Sequence, residues 1–363
     1  MSVRGELPRW VDIGLIPLIN LAIALVVAGI VVVIIGENPF RALAIMLDGA
    51  LGSLKGWSYM LYYATNFVFT GLCVAIAFHA GLFNIGGEGQ AYVAGLGAGV
   101  VGLGLDFLPW WLVVPLASIA CVLVGAAWGF VPGYLQAKRG SHIVITTIMF
   151  NFIASSVMVY LINNYFRPIG KMAVESRALD VAYIANFREL GRMIGIKLPS
   201  TPLNPVVFLA LAAAWGVWYL LWRTKLGYEI RAVGANMDAA IYAGIRPDKI
   251  IMITMAISGG LAGMVAINEI LGVQHRLLLD FAGGAGFVGI AVALMGRSHP
   301  LGILFSALLF GLLYQGGTEL SFAIPTISRD MIVVIQGLVI LFMGALEEAF
   351  RPRLSVLFAR AEA

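Results

Sequence analysis

Apolar residues fill this chain in long runs, and short polar or glycine-rich intervals separate one run from the next. A bilayer core asks for about 20 apolar residues per helix. Stretches of that kind run approximately over 13–35, 58–79, 91–105, 110–135, 143–165 and 204–222. A polar break follows, and then 250–271, 281–295, 301–315 and 331–346. The pattern predicts an all-α polytopic membrane protein with about ten transmembrane helices, forming a single membrane-embedded domain over 1–363. The third, eighth and ninth stretches are short or glycine-rich. The apolar run from Leu18 to Ile35 is too long for a cleaved signal and reads as the first span.

Between the second and third stretches lies Gly81-Leu-Phe-Asn-Ile-Gly-Gly-Glu-Gly-Gln90. Backbone that leaves the helix inside a bilayer is tolerated only where protein or a water-filled cavity satisfies its polar groups. Polar residues at that depth are functional-site candidates. Glu88 has two readings. It sits at the start of the third helix, where a carboxylate suits the exposed N–H groups; it could equally bind hydroxyls or gate a pore. A faint echo, Gly283-Gly-Ala-Gly286, opens the eighth stretch. Two five-helix halves of inverted topology would explain it, as would chance in low-complexity sequence.

Composition narrows the class. Hydrophobic residues make up 61% of the chain and charged ones 12%, against roughly a quarter charged in soluble domains. The formal net charge of +4 comes without a dense basic run, so nucleic acid is not an expected partner. Membrane lipid is. Cys73 and Cys121 lie in apolar stretches and read as small buried hydrophobes. His79, His142, His275 and His299 are isolated, which argues against a metal site or a nucleophilic triad. Gly97-Ala-Gly-Val-Val-Gly102 and Gly284-Ala-Gly-Phe-Val-Gly289 fit a dinucleotide pattern but lie in apolar spans, outside any βαβ unit. Close helix packing explains them better, as it does Gly125, Gly129 and Gly133. No Gly-x-x-x-x-Gly-Lys-Ser/Thr loop occurs, so any ATP is used by another chain.

Lys and Arg favour cytoplasmic segments. With ten alternating spans and both termini inside, inner segments hold Arg4, Arg9, Lys138, Arg139, Arg223, Lys225, Arg231, Arg246, Lys249, Arg297, Arg351, Arg353 and Arg360. The short outer loops hold only Arg41, Lys55, Arg276 and Arg329. A longer external loop, 166–203, carries six more and weakens the asymmetry without reversing it.

The longest inner polar segment is 223–249. It contains a short helix signal: Asn236 as N-cap, Asp238 at the positive helix end, then Ala239, Ala240, Ile241, Tyr242 and Ala243, with Gly244 suited to a left-handed exit and Pro247 beyond it. So short a helix needs a surface to rest on. That surface is either its own spans or a partner's groove.

The residues here carry a family resemblance. Leu226-Gly-Tyr-Glu-Ile-Arg-Ala-Val-Gly-Ala-Asn236, Ala239-Ala240, Ala243-Gly-Ile245 and Ile257-Ser-Gly-Gly-Leu-Ala-Gly263 resemble the coupling region, and the helix after it, of ABC importer permeases of the branched-chain amino acid/ribose superfamily. The decapeptide Gly81–Gln90 is similar to that of nucleoside importers. The resemblance covers nearly the whole chain and implies a type II importer-like permease in a bacterial inner membrane. It implies four kinds of part: this permease, a second homologous permease, ABC ATPase subunits, and an external substrate-binding lipoprotein. The chain itself would bind no cofactor, and ATP would be used by the ATPase. Asn236, Asp238, Ala239, Ala240, Tyr242 and Gly244 would dock on that ATPase as a cytoplasmic coupling loop. The external loop would either receive the lipoprotein or be merely solvated.

Nucleosides are neutral, with hydroxyls at one end and a flat base at the other. Their path calls for amides, hydroxyls and aromatic faces, and the candidates are Asn66, Asn84, Glu88, Gln90, Tyr92, Asn151, Asn268 and Glu269, with Gln315 beside them. Each amide could instead bond between helices. Ribose or other sugars and branched-chain amino acids are alternative cargoes. A self-sufficient secondary transporter is the more remote alternative, suggested by the echo and by Glu88 and Glu269.

Overall fold

The computed structural model describes residues 16–328, 331–339 and 341–342. Helices succeed one another as α1 (Ile16–Ile34), α2 (Pro39–Leu51), α3 (Leu54–His79), α4 (Gly87–Gly104), α5 (Trp110–Arg139) and α6 (Ile143–Leu161). They continue as α7 (Phe187–Met193), α8 (Val206–Arg223), α9 (Lys225–Ala235), α10 (Met237–Tyr242), α11 (Pro247–Ala266), α12 (Ala285–Met295) and α13 (Pro300–Ala323). Residues 331–339 are helical too. No strand occurs among the described residues; Glu175 and Leu278 form an isolated bridge. The all-α polytopic expectation holds.

Among the described residues six helices are long and apolar enough to cross a bilayer: α3, α5, α6 with its extension to Phe166, α8, α11 with its extension to Gln274, and α13. The pair α1 and α2, bent by 117°, makes a seventh if taken as one span. The hydropathy reading of about ten spans exceeds this count for physical reasons. Helix α4 is diluted by glycine, and the 11 residues of α12 reach only about 16 Å at 1.5 Å per residue, half of a ~30 Å hydrocarbon core. The stretch 331–346 lies partly outside the described residues. So do Arg4, Arg9, Arg329, Arg351, Arg353 and Arg360.

Other boundaries move as well. The interval after the first span holds α2: Asn38 caps it, its Oδ1 accepting from Phe40 N at 2.9 Å and Arg41 N at 3.2 Å, and Pro39 takes the first turn. The ninth stretch continues past 315 to Ala323 because its polar residues, Gln315, Thr318 and Glu319, lie within a helix rather than ending it. The segment 223–249 is mostly helical, with α9 preceding α10.

Two compact units organise the chain, Trp57–Gly311 and the described residues on either side of it. Within Trp57–Gly311, α5 and α11 cross on a glycine seam. A Cβ on Gly125 would stand 2.4 Å from Gly259 O, one on Gly129 2.5 Å from Met255 O, and one on Gly259 2.2 Å from Gly125 O. Backbones approach so closely only where small residues repeat one turn apart, the usual device where helices cannot gain from water exclusion. Gly97 packs likewise on Ala120 and Cys121. The glycine pattern 97–102 that mimics a dinucleotide fold is therefore a packing surface, Gly99 meeting Leu277 and Gly102 meeting Leu179 and Ala182. Within the flanking unit, Gly316 lies against Met46 and Gln315 donates to Glu319 at 3.1 Å.

Candidate substrate path and its flanks

The predicted polar residues of Trp57–Gly311 fall into two clusters. The first is built on the Gly81–Gln90 break. Asn84, fully buried, donates through Nδ2 to Gln90 Oε1 at 2.9 Å and Ser258 Oγ at 2.8 Å. Its Oδ1 accepts from Gly86 N at 2.9 Å and from Gln90 Nε2 at 3.2 Å. Ser258 in turn donates to Cys73 O at 2.6 Å. Asn151, from α6, donates to Ile85 O at 3.0 Å and accepts from Gly89 N at 2.9 Å. These side chains satisfy the backbone that the break releases, as membrane depth demands. Their polar ends are engaged with protein, which is the interhelical role for amides.

Glu88 behaves differently from its local reading. The N-cap of α4 is Gly86, which has no side chain to cap with, and the Glu88 carboxylate reaches to the start of α12. There its two oxygens accept from Gly284 N at 2.8 Å and Gly286 N at 2.7 Å. Tyr92, one turn further along α4, accepts at its hydroxyl from Asp280 N at 3.0 Å and meets Phe281 at 5.5 Å between ring centroids. The two glycine-rich breaks are thus in contact: a Cβ on Gly286 would fall 2.1 Å from Glu88 N.

The second cluster joins α3 to the π-helical continuation of α11, Ile267–Gln274. Glu269 Oε1 accepts from the Tyr62 hydroxyl at 2.5 Å and Asn66 Nδ2 at 2.6 Å. Asn268 Nδ2 donates to Asn66 Oδ1 at 2.8 Å, and Asn204 Nδ2 donates to Asn268 Oδ1 at 2.9 Å. Every contact to the carboxylate is a donor, which offsets much of the cost of its burial. Tyr62, Asn204 and Ser258 are members that the sequence reading passed over. Tyr62 stands one helical turn before Asn66, a spacing that places both on one face.

The loop 166–203 is folded onto the chain that follows α11. Ser176 N donates to Leu277 O, Leu179 N to His275 O and Ile184 N to Leu271 O, at 2.9, 2.7 and 2.7 Å. Arg177 reaches Asp106 at 2.7 Å, and Arg276 reaches Glu175 at 2.9 Å. The hydrogen bond from Lys171, with Arg276 alongside, holds the Glu175 carboxyl below its ordinary value of 4.5. Beyond this strap Met172, Met193 and Ile194 stand exposed.

A family model described as the branched-chain amino acid transport system / permease component matches residues 56–344. The chain belongs to this family. The permease is 33% identical to the guanosine ABC transporter permease protein of Bacillus subtilis over 91% of its own length and 93% of the relative's. It is 31% identical to a nucleoside ABC transporter permease protein of Lactococcus lactis subsp. cremoris, over 91% and 90%. A glucose ABC transporter permease protein of Haloferax volcanii is 30% identical over 99% and 94%. The chain is thus a multi-pass membrane permease of the ABC class, and these relatives are transport subunits rather than enzymes.

On the permease's other flank, Asn236 caps α10, its Oδ1 accepting from Ala239 N at 3.0 Å. Gly244 leaves the helix at φ +81°, the left-handed exit that its position predicts. Of the six residues in α10 only Ala240 is buried, while Met237, Ile241 and Tyr242 are exposed, Tyr242 at 93%. Asp238 and Ala239 are exposed as well. Lys138 and Asp248 form an ion pair between the last turn of α5 and the first of α11.

Proposed function

We propose that this permease carries nucleosides inward as the pore-forming subunit of an ATP-driven importer, with α10 docking on a separate ATPase. The observation that carries the coupling half is α10 itself. A six-residue helix has no stability of its own, yet this one is capped at both ends and turns Met237, Ile241 and Tyr242 away from its own spans. A partner's apolar groove is the surface such a face fits. Asn236, Asp238, Ala239 and Gly244 would set its geometry. ATP would be used by the partner, and this chain would hold no cofactor. Both termini would be cytoplasmic, a second permease would complete the pore, and a lipoprotein would dock on the folded outer strap.

The cargo half is supported by the guanosine and nucleoside permeases among the relatives and by a path rich in neutral amides. Asn66, Asn84, Gln90, Asn151 and Asn268 are neutral amides bonded to neighbouring helices and to one another in this structure, and none of them brings a fixed cation for a free carboxylate. Sugar transport is the second reading, favoured by the glucose permease that aligns over almost the whole chain. Uptake of labelled guanosine by the assembled importer, challenged with excess adenosine, glucose or leucine, separates these cargoes. Competition by adenosine alone supports the nucleoside reading; competition by glucose without adenosine replaces it.

A further inference from the structure

The contact between the two interrupted helices points to a role for Glu88 other than touching cargo. Helix α12 is half a membrane thick, and its far end is followed directly by Arg297. Its start therefore lies near mid-depth, where it meets the start of α4. Glycine makes up most of this meeting point: Gly86 and Gly87 from one side, Gly283, Gly284 and Gly286 from the other. A Cβ on Gly87 would stand 3.7 Å from Gly286, so the two backbones approach closely there. What joins the two sides is the Glu88 carboxylate, one oxygen on Gly284 N and one on Gly286 N, with the Tyr92–Asp280 bond one turn away. Neither Gly283 nor Gly284 has another group within 4 Å of where a Cβ would stand, and Gly283 is exposed. Non-helical backbone exposed at this depth is tolerated where it lines a wetted cavity.

We propose that Glu88 is a latch: it pins the start of α12 to the start of α4, and the seam it closes is part of the barrier across the permease's path. The inference rests on the importer reading above and makes Glu88 a positioning residue. Two properties follow from the geometry. A glutamine at 88 keeps one acceptor oxygen and puts an NH2 where the other oxygen stood, so in this two-oxygen geometry it accepts from one N–H and sets a donor against the other. An aspartate is a methylene shorter and cannot reach both.

The test uses the complete importer in proteoliposomes. Swelling in erythritol without ATP reads the closed barrier, and nucleoside concentration at half-maximal ATP-driven uptake reads cargo contact. Glu88→Gln raises erythritol flux by roughly tenfold, the shift expected when a charge-assisted hydrogen bond is lost from the closed state. Half-saturation stays unchanged. Glu88→Asp falls between, and Tyr92→Phe gives a smaller rise. Unchanged flux in an assembled Glu88→Gln importer overturns the latch, and a shifted half-saturation with no leak reassigns Glu88 to cargo contact. If Glu88→Gln does not assemble, Tyr92→Phe decides, and no rise there overturns the latch. A wild-type importer that ignores nucleosides defeats the cargo reading alone, because erythritol flux does not depend on it.

Discussion

Replacing Asn84 by leucine tests whether one side chain holds the break in shape. The residue is wholly buried and, besides a long bond to Cys73 Sγ at 3.5 Å, makes four side-chain hydrogen bonds to nitrogen and oxygen partners: two with Gln90, one with Gly86 N and one with Ser258. Leucine keeps the bulk and removes all four. Ser258 is the least affected, because it still donates to Cys73 O. Gly86 N and the Gln90 amide are left without those partners. Stranded buried polar groups cost about 1–3 kcal/mol each, while interhelical bonds in membranes average about 0.6 kcal/mol. Between those limits, Asn84→Leu destabilises by roughly 2–4 kcal/mol. Ser258→Ala removes one of the four and costs under about 2 kcal/mol. Thermal midpoints from fluorescence-detected size exclusion in detergent compare the two. Asn84→Leu should fall at least about 4 °C below the wild type, and further than Ser258→Ala. A shift within about 1 °C, with uptake retained, would refute the claim that Asn84 shapes the break.

Tyr242→Ala should abolish uptake while membrane insertion and assembly of the permease pair stay normal; retained uptake would return α10 to an ordinary surface helix. Gly244→Val forces a branched side chain to φ +81° and should do the same, since the strain of roughly 1–2 kcal/mol falls on the helix exit. Gly129→Val inserts carbon where a Cβ already stands 2.5 Å from Met255 O, so the folded yield should collapse, and a normal yield would contradict the α5–α11 crossing. Because the Glu175 carboxyl is held below its ordinary value, its contribution to strap docking is present above about pH 4.5 and is lost as pH falls through the lowered value. Limited acid proteolysis of 166–203 should accelerate in that window and, in Glu175→Gln, should lose that pH dependence.

Hydropathy made the spans legible because lipid imposes length and apolarity residue by residue. Asn236 and Gly244 were legible for a related reason, since caps and left-handed exits are local chemistry. Helix α2 escaped because its signal is a cap, Asn38–Pro39, on a segment of 13 residues, too short to count as a span by itself. The partner of Glu88 was invisible: its carboxylate bonds to residues almost two hundred positions away, while its neighbours suggested that it would serve its own helix. The glycine echo near Gly283 did point to the second break, though nothing in the sequence placed the two in contact. Tyr62 and Asn204 joined the Glu269 cluster unseen because a tyrosine and a pre-proline asparagine in a membrane protein have many ordinary uses.

Accumulation of labelled guanosine in proteoliposomes, with and without the ATPase subunits, tests the central claim most directly. The account predicts concentrative uptake only when permeases, binding protein and ATPase are together and ATP is hydrolysed. Uptake by this chain alone, driven by an ion gradient and indifferent to ATP, would contradict it.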